Sequence, residues 1–377
     1  MKIAFYAPLK PLDSPVPSGD RQMGRLIVRA LEAAGHEVIQ PSRLRLWLKE
    51  GSVEAQKEKE RAARDEARAL VARFANEGAP ELWLTYHLYH KAPDWLGTSV
   101  ADALDIPYVA MEASRAVKRR EGPWSYGFAA ADTMIACADT VIACHRQDAA
   151  GLCAIVPPER LTILPPFIDA APFADVENEP RSDGPVRLVT VAMMRSGDKM
   201  ASYRVLAEAL AEIRDLDWRL RLVGDGEMRE EVLAILPLER VDWFGQLAPG
   251  QIASAYAGAD LFVWPAVHEA YGLVFLEAQA SGLPVVGGAT GGVPDIVRTG
   301  ETGWLAPVGD GIALAETLRQ ALARPDQLAV MGTRARAHVL ENHDIGSASV
   351  RLDAIVSRTR ASFRGRNERS CKQHQPS

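Results

Sequence analysis

Twice along this chain a series of short apolar runs alternates with longer segments of helical period, and that doubled alternation leaves few folds open. In the first half the runs lie at Lys2–Ala7, His36–Ile39, Leu82–Tyr86, Pro107–Met111, Thr140–Ala143 and Leu161–Leu164. Each reads as a buried strand followed by a helix, as in Arg21–Ala34, which Gly35 closes. In the second half the runs lie at Val186–Ala192, Arg219–Val223, Val241–Phe244, Leu261–Trp264 and Pro284–Gly287. Strand and helix in strict alternation make a parallel sheet with helices on both faces. The expected fold is therefore α/β, two Rossmann-like doubly wound domains facing a central cleft, and 377 residues suffice for two cores.

A stretch rich in Pro, Gly, Asp, Glu and Ser, from Asp175 to Pro185, separates the two series. It places an N-terminal domain at 1–175 and a second domain at 185–344. Ile345–Phe363 reads as a helix that could lie back across the first domain, and 364–377 as a basic, disordered tail. Val53–Ala75 is charged at most positions with apolar residues at helical spacing, which predicts a solvated surface helix, membrane or acceptor contact being the alternative.

Composition narrows the function. A net charge of -6 argues against a nucleic-acid binder, although Arg358–Lys372 is locally basic and suited to touching an acidic surface such as the inner face of a membrane. The four cysteines, Cys137, Cys144, Cys153 and Cys371, have neither zinc-site spacing nor the density of a disulfide scaffold. The apolar start is too short for a signal peptide and no run reaches membrane-spanning length, so the expected location is the cytoplasm.

In doubly wound sheets ligands bind beyond the C-terminal ends of the strands. The most informative such loop follows Leu261–Trp264 and runs from His268 to Ala278. It carries Glu269, free in the loop to accept hydroxyl hydrogen bonds, and Glu277, some two turns into the following helix and embedded in the apolar run Leu273–Ala280. The main chain of Ala270, Tyr271, Gly272 and Leu273 lies between them, and the helix start near Gly272 and Leu273 suits a phosphate. Met193–Lys199, after the first strand of the second half, puts two cations at the sheet edge. Arg195 can form a fork onto phosphate oxygens and Lys199 can act as a point charge, the alternative for Lys199 being an ion pair with Asp198. The cluster Gly287–Gly292 either lets backbone approach a ligand or is a flexible turn, and Asp225 reads first as turn-forming.

The ordered set Glu269-x7-Glu277, Ser281–Val286, Gly291–Val297, Thr302–Leu305 and Gly224–Gly226, with Ala138–Ile142 and Phe167–Asp169 in the first half, resembles the retaining GT-B glycosyltransferases of family 4, glycosyl transferases group 1. The resemblance spans nearly the whole chain and implies transfer of a hexose-type sugar from a nucleoside-diphosphate sugar to an acceptor hydroxyl, in cell-envelope polysaccharide or glycoconjugate synthesis. It implies that Glu269 holds donor-sugar hydroxyls, Glu277 the ribose hydroxyls, and Arg195 and Lys199 the diphosphate, with main chain up to Gly245 reading the base. It also implies that Gly19 lets backbone approach the donor phosphates, Asp20 standing where the family often has a second glycine. The family places a histidine at a strand end near the reacting sugar, and His87 matches better than His90; a lone histidine is also commonly structural, and both readings stand. Glu112 and Arg115, after another strand, either face the acceptor or serve structure.

No protein nucleophile or metal site is evident, so the implied mechanism is front-face attack, the leaving phosphate taking the acceptor's proton while Arg195 and Lys199 stabilise the departing charge. Asp215-Leu216-Asp217 has a metal-binding spacing but joins a helix to a strand start, on the wrong sheet edge, and His338 and His343 lack a ligand partner. No cofactor is expected beyond the nucleotide-sugar co-substrate. The rival readings are a sugar-nucleotide epimerase and a non-catalytic nucleotide-sugar binder.

Overall fold

The computed structural model describes residues 1–15, 18–175 and 184–363, which form two compact units. The first comprises Met1–Pro165 and the segment from Gly346 onward; the second comprises Pro166–Ile345.

In the first unit the chain runs β1 (Lys2–Tyr6), α1 (Gly19–Ala33), β2 (Glu37–Ile39), α2 (Val53–Glu77), β3 (Leu82–Leu88), α3 (Trp95–Leu104), β4 (Tyr108–Ala113), α4 (Ser125–Cys137), β5 (Thr140–Ala143), α5 (Arg146–Leu152) and β6 (Leu161–Ile163). The strands pair in parallel in the order β2-β1-β3-β4-β5-β6. The second unit runs α6 (Ala171–Ala174), β7 (Val186–Val191), α7 (Asp198–Glu212), β8 (Trp218–Val223), α8 (Arg229–Ile235), β9 (Val241–Trp243), α9 (Pro249–Ala257), β10 (Leu261–Trp264), α10 (Leu273–Ala280), β11 (Val285–Gly288), α11 (Val293–Ile296), β12 (Gly303–Ala306), α12 (Gly311–Leu322) and α13 (Pro325–Asn342). Its parallel order is β12-β11-β10-β7-β8-β9, and α14 (Ile345–Ser362) returns to the first unit. Both orders change direction at an interior strand, between β1 and β3 and between β7 and β10. At such a point the loops leaving adjacent strand ends diverge to opposite faces and open a crevice.

Local chemistry explains the elements. Strands buried on both faces need unbroken apolar sequence, and every residue of β4 and β10 is buried. Ser18 starts α1 by accepting the Arg21 N–H at 3.3 Å, and Ser52 starts α2 by accepting that of Ala55 at 3.2 Å. The charged helix α2 is solvated on one side only. Ala63, Ala67, Leu70 and Phe74 form a buried stripe in the first core, and α2 packs on α3 and α4. Its buried Gln56 donates to the carbonyls of Ser52 and Pro123 and accepts the Gly127 N–H, so no polar group there is stranded.

The unit boundary falls before the predicted linker. The chain passes to the second unit at Pro165–Pro166 because the next residues bond to the end of α13's connection: Ile168 N–H donates to the His343 carbonyl at 2.9 Å, and Ala170 N–H to Asp344 Oδ1 at 3.0 Å. Most of the Asp175–Pro185 stretch, and the tail 364–377 with Cys371, lie outside the described residues. Helix α14 buries Leu352, Ile355 and Val356, and its Thr359 hydroxyl bonds the Thr140 hydroxyl at 2.7 Å. Burying each such aliphatic side chain is worth about 1.5–3 kcal/mol. The sequence reading missed β12, whose four residues form the edge of the second sheet.

Candidate active site

At the C-terminal edge of the second sheet, the loops after β7 and β10 flank the point where strand order reverses. Two consecutive residues at the start of α7 pair with two consecutive residues of the β10 loop. Lys199 Nζ stands 2.6 Å from Glu269 Oε2, and Asp198 Oδ1 stands 3.0 Å from His268 Nδ1. Asp198 therefore does not take Lys199 as its partner, which settles the ambiguity that the sequence left. The Lys199 and Glu269 side chains are 28% and 18% exposed, so their attraction is screened less than that of Asp198 and His268, at 63% and 77%. Lys199 also lies 5.5 Å above the Trp264 ring.

The β10 loop is held in a disfavoured backbone. Ala266 (φ 58), His268 (φ 52) and Gly272 (φ 70) all have positive φ, and the first two are side-chain-bearing residues in a conformation that must be imposed by the surroundings. The glycine cluster packs directly against it. A Cβ on Gly288 would stand 2.1 Å from the Pro265 carbonyl oxygen, and one on Gly291, itself at φ +51, would stand 2.0 Å from that of Glu269. Gly292 N–H donates to the Ala270 carbonyl at 2.9 Å. The glycines are accordingly neither a flexible turn nor spare backbone; they allow close contact with the loop that carries Glu269.

Gly272 precedes α10 in the left-handed region, and Glu277 lies one turn into this eight-residue helix rather than two. Glu277 is 8% exposed and accepts the Tyr256 hydroxyl at 3.2 Å. Burial and then the nearby Glu277 charge push the Tyr256 hydroxyl well above its usual pKa, which keeps it a proton donor. Ala270 is exposed, whereas Tyr271, Gly272 and Leu273 are buried.

Half-buried Arg195 sits in the β7 loop, which is tied to the β8 loop. Met194 N–H donates to the Asp225 carbonyl and Met228 N–H to the Met194 carbonyl, each at 3.0 Å. The Ser196 N–H and hydroxyl both donate to Glu227, and these bonds, with the charge of Arg195, hold the Glu227 carboxyl below its ordinary range. Gly224 and Gly226 are needed because a Cβ would strike the carbonyls of Ala192 and Met194, at 1.9 and 2.2 Å. Asp225 caps its own turn by accepting the Gly226 N–H. Gly245 (φ 68) accepts the Gly224 N–H at 2.8 Å beside Trp243 and Phe244, which are 38% and 50% exposed at the strand end. These two aromatics were overlooked; a Trp-Phe-Gly run closing a predicted strand was the available signal.

Away from either edge, Asp215 is taken up by Arg319 and the ring of His338 stacks edge-on to that of His343 at 4.9 Å. His343 Nδ1 lies 2.8 Å from the Pro166 carbonyl, so these groups serve structure.

In the first unit the corresponding edge gathers His87, Glu112 and Asp20. His87 Nδ1 lies 3.3 Å from Glu112 Oε2 and 3.5 Å from Asp20 Oδ1, and the three donor atoms fall within 4.8 Å of one another, a spacing that a proton or a metal ion can bridge. Burial works against charge on His87, but Glu112 and then Asp20 outweigh it and raise the pKa to about 9. His90, in contrast, is packed edge-on against Tyr89 and Trp124 and is lowered to about 4, chiefly by burial. Gly19 is the exposed first residue of α1. Arg115 is committed to a two-point bond with Asp132 on α4, at 2.8 and 2.7 Å, which accounts for it structurally. Glu112 is buried beside His87.

Two doubly wound parallel sheets in one chain, each with charged side chains at its C-terminal edge, define the GT-B class of fold. Sucrose-phosphate synthase from Thermosynechococcus elongatus matches over 96% of this chain and 99% of its own, with a TM-score of 0.73 and 21% identity. Anabaena Alr3699/HepE, solved in complex with UDP-glucose, matches over 95% and 100%, with a TM-score of 0.68 and 16% identity. Residues 185–324 match the glycosyl transferases group 1 family, and the second unit carries a domain of that family. A D-inositol 3-phosphate glycosyltransferase from Corynebacterium aurimucosum is 32% identical over 218 residues, 53% of this chain and 52% of that protein. Across three curated relatives the aligned stretch spans from 27% to 52% of the relative's length. No described helix is long and apolar enough to cross a membrane.

Proposed function

We propose that this protein is a retaining, metal-independent glycosyltransferase of family 4, moving a hexose-type sugar from a nucleoside-diphosphate sugar to an acceptor hydroxyl of a glycan, glycolipid or small molecule. The observation that carries the proposal is the Lys199–Glu269 pair at the strand-order reversal of a group 1 glycosyltransferase domain, with Glu277 buried eight residues on. In this reading Lys199 and Arg195 stabilise charge growing on the leaving diphosphate, and Glu269 holds sugar hydroxyls. Glu277 takes the ribose hydroxyls, with Ala270, Tyr271, Gly272, Leu273 and Gly245 contributing main chain. Gly19 and His87 supply the donor-phosphate and sugar contacts of the first unit. The proposed setting is the cytoplasm, in cell-envelope polysaccharide or glycoconjugate synthesis.

A thermal-shift panel of UDP-, GDP- and ADP-sugars tests the donor class, since a ligand at about 100 times its Kd stabilises by about 2.7 kcal/mol. The expected result is one responding base, with sugar released only when an acceptor or water takes it, and with turnover unchanged by EDTA. No response to any nucleotide sugar sinks the reading, and turnover lost to EDTA but restored by manganese sinks its metal-free part.

A further inference from the structure

His87 is not a lone residue: the next strand gives it a partner. Tyr86 pairs with Met111 and Leu88 with Ala113, so His87 and Glu112 occupy the same register position of β3 and β4. Both have left-handed backbone there, φ 68 and φ 53, a conformation disfavoured by roughly 1–2 kcal/mol for a residue with a Cβ. Two matched departures in paired strands bring Nδ1 of one to 3.3 Å from Oε2 of the other. Both atoms are sealed from solvent, and Glu112 is 6% exposed. A carboxylate so placed requires a proton-bearing neighbour, because its charge has lost the stabilisation of water.

Two groups supply one: the Tyr86 hydroxyl, which bonds the Glu112 carboxyl, and His87, which of the two is the one that can carry a positive charge. Tyr86 and Cys144 are buried groups held protonated, their pKa values raised first by burial. Asp148 also bears on His87 but is paired with His145 at 2.9 Å. Asp20, at the start of α1, approaches the same Nδ1 at 3.5 Å. Asp20 is the residue that departs from the two-glycine pattern noted in the sequence, and the departure acquires a purpose here.

Resting on the glycosyl-transfer reading, we infer that Glu112 is a positioning residue for His87: its buried carboxylate fixes the proton on Nδ1, Asp20 steadies the same nitrogen, and Nε2 is left as the nitrogen that meets the ligand. The arrangement orients the ring and sets its tautomer in one step, as a carboxylate behind a functional imidazole does generally.

Nitrogen-15 NMR of ring-labelled histidine in the full chain tests this, with His87→Gln identifying the resonance. The expected spectrum shows both ring nitrogens protonated near neutral pH and, above the titration at about 9, the remaining proton on Nδ1, and Glu112→Gln lowers the pH at which His87 titrates by about one unit or more. Asp20→Asn lowers it less. In transfer assays Glu112→Gln reduces kcat about 10-fold or more, with little change in donor KM, and Glu112→Asp recovers part of the loss. An unchanged tautomer and titration in folded Glu112→Gln overturns the inference, as does an unchanged kcat; if that variant does not fold, an unmoved His87 in Asp20→Asn overturns it instead. Stoichiometric uptake of zinc or manganese that depends on all three side chains likewise overturns it. If the ring responds as expected in a chain that transfers sugar from no donor, the inference stands and the glycosyl-transfer reading fails.

Discussion

Lys199 and Glu269 are 70 residues apart in sequence and 2.6 Å apart in space, joined where the strand order of the second sheet reverses. Each is the other's counter-charge, so in the ligand-free protein neither stands as an isolated ion in a half-buried site. A diphosphate arriving at Lys199 would find a cation already positioned, with two of its three N–H donors still to offer.

Residues that act as a unit lose activity together. Lys199→Ala should reduce kcat by roughly 100-fold, comparable to losing one well-placed oxyanion donor. Adding Glu269→Ala to it should cost less than the product of the two single losses, because each side chain also holds the other in place. Losses that multiply in the double variant would show two independent contributions.

Glu277 should govern nucleotide affinity. Glu277→Ala is expected to weaken binding of the free nucleoside diphosphate about 10-fold or more in calorimetry, the worth of a hydrogen bond to a charged group. Tyr256→Phe removes the hydroxyl that Glu277 accepts and should weaken binding in the same direction by less. Glu269→Ala should leave that affinity near wild type, and an equal loss in both glutamate variants would refute the division of roles.

Gly291→Ala should destabilise the second unit by about 2 kcal/mol or more, because it adds a left-handed alanine to a steric clash with the Glu269 carbonyl. Gly300, at φ +83 with open space around it, isolates the first term, and Gly300→Ala should lose only about 1 kcal/mol. Denaturant midpoints of the two variants measure the difference. Equal midpoints would mean that the β10 loop yields to the extra methyl group.

The His87 pair makes a signed statement about pH. Its folded pKa, about 9, lies above the ordinary 6.5, so the folded state holds the proton more tightly than the unfolded chain. The resulting stabilisation is complete below 6.5 and is lost as pH rises through 9. Wild type should therefore lose stability across that window relative to His87→Gln, read from denaturation midpoints at several pH values. Parallel pH curves would rule out a charged His87.

Residue type and strand-end position were legible in the sequence; pairing was not. Glu269, Glu277, Arg195 and Lys199 could be located because parallel strands announce themselves as unbroken apolar runs, and ligands sit beyond their C-terminal ends. Tyr256 as the donor to Glu277, His268 as the partner of Asp198, and Asp132 as the partner of Arg115 depend on how helices and loops pack, which periodicity does not encode. The opposition of His87 to Glu112 depends on strand register and on two backbone torsions outside the usual strand region. The unit boundary was missed because Pro and Gly mark irregular chain, whereas the true crossing is fixed by hydrogen bonds from Ile168 and Ala170 to residues near 343.

The return of α14 to the first unit has a consequence for synthesis on the ribosome. The second unit is one continuous segment, Pro166–Ile345, whereas the first lacks Thr359 and the buried Leu352, Ile355 and Val356 until the whole second unit has emerged. The half made earliest is therefore the half finished last. Until α14 arrives, the nascent chain carries an uncovered apolar face on its N-terminal part, the kind of surface that holding chaperones retain.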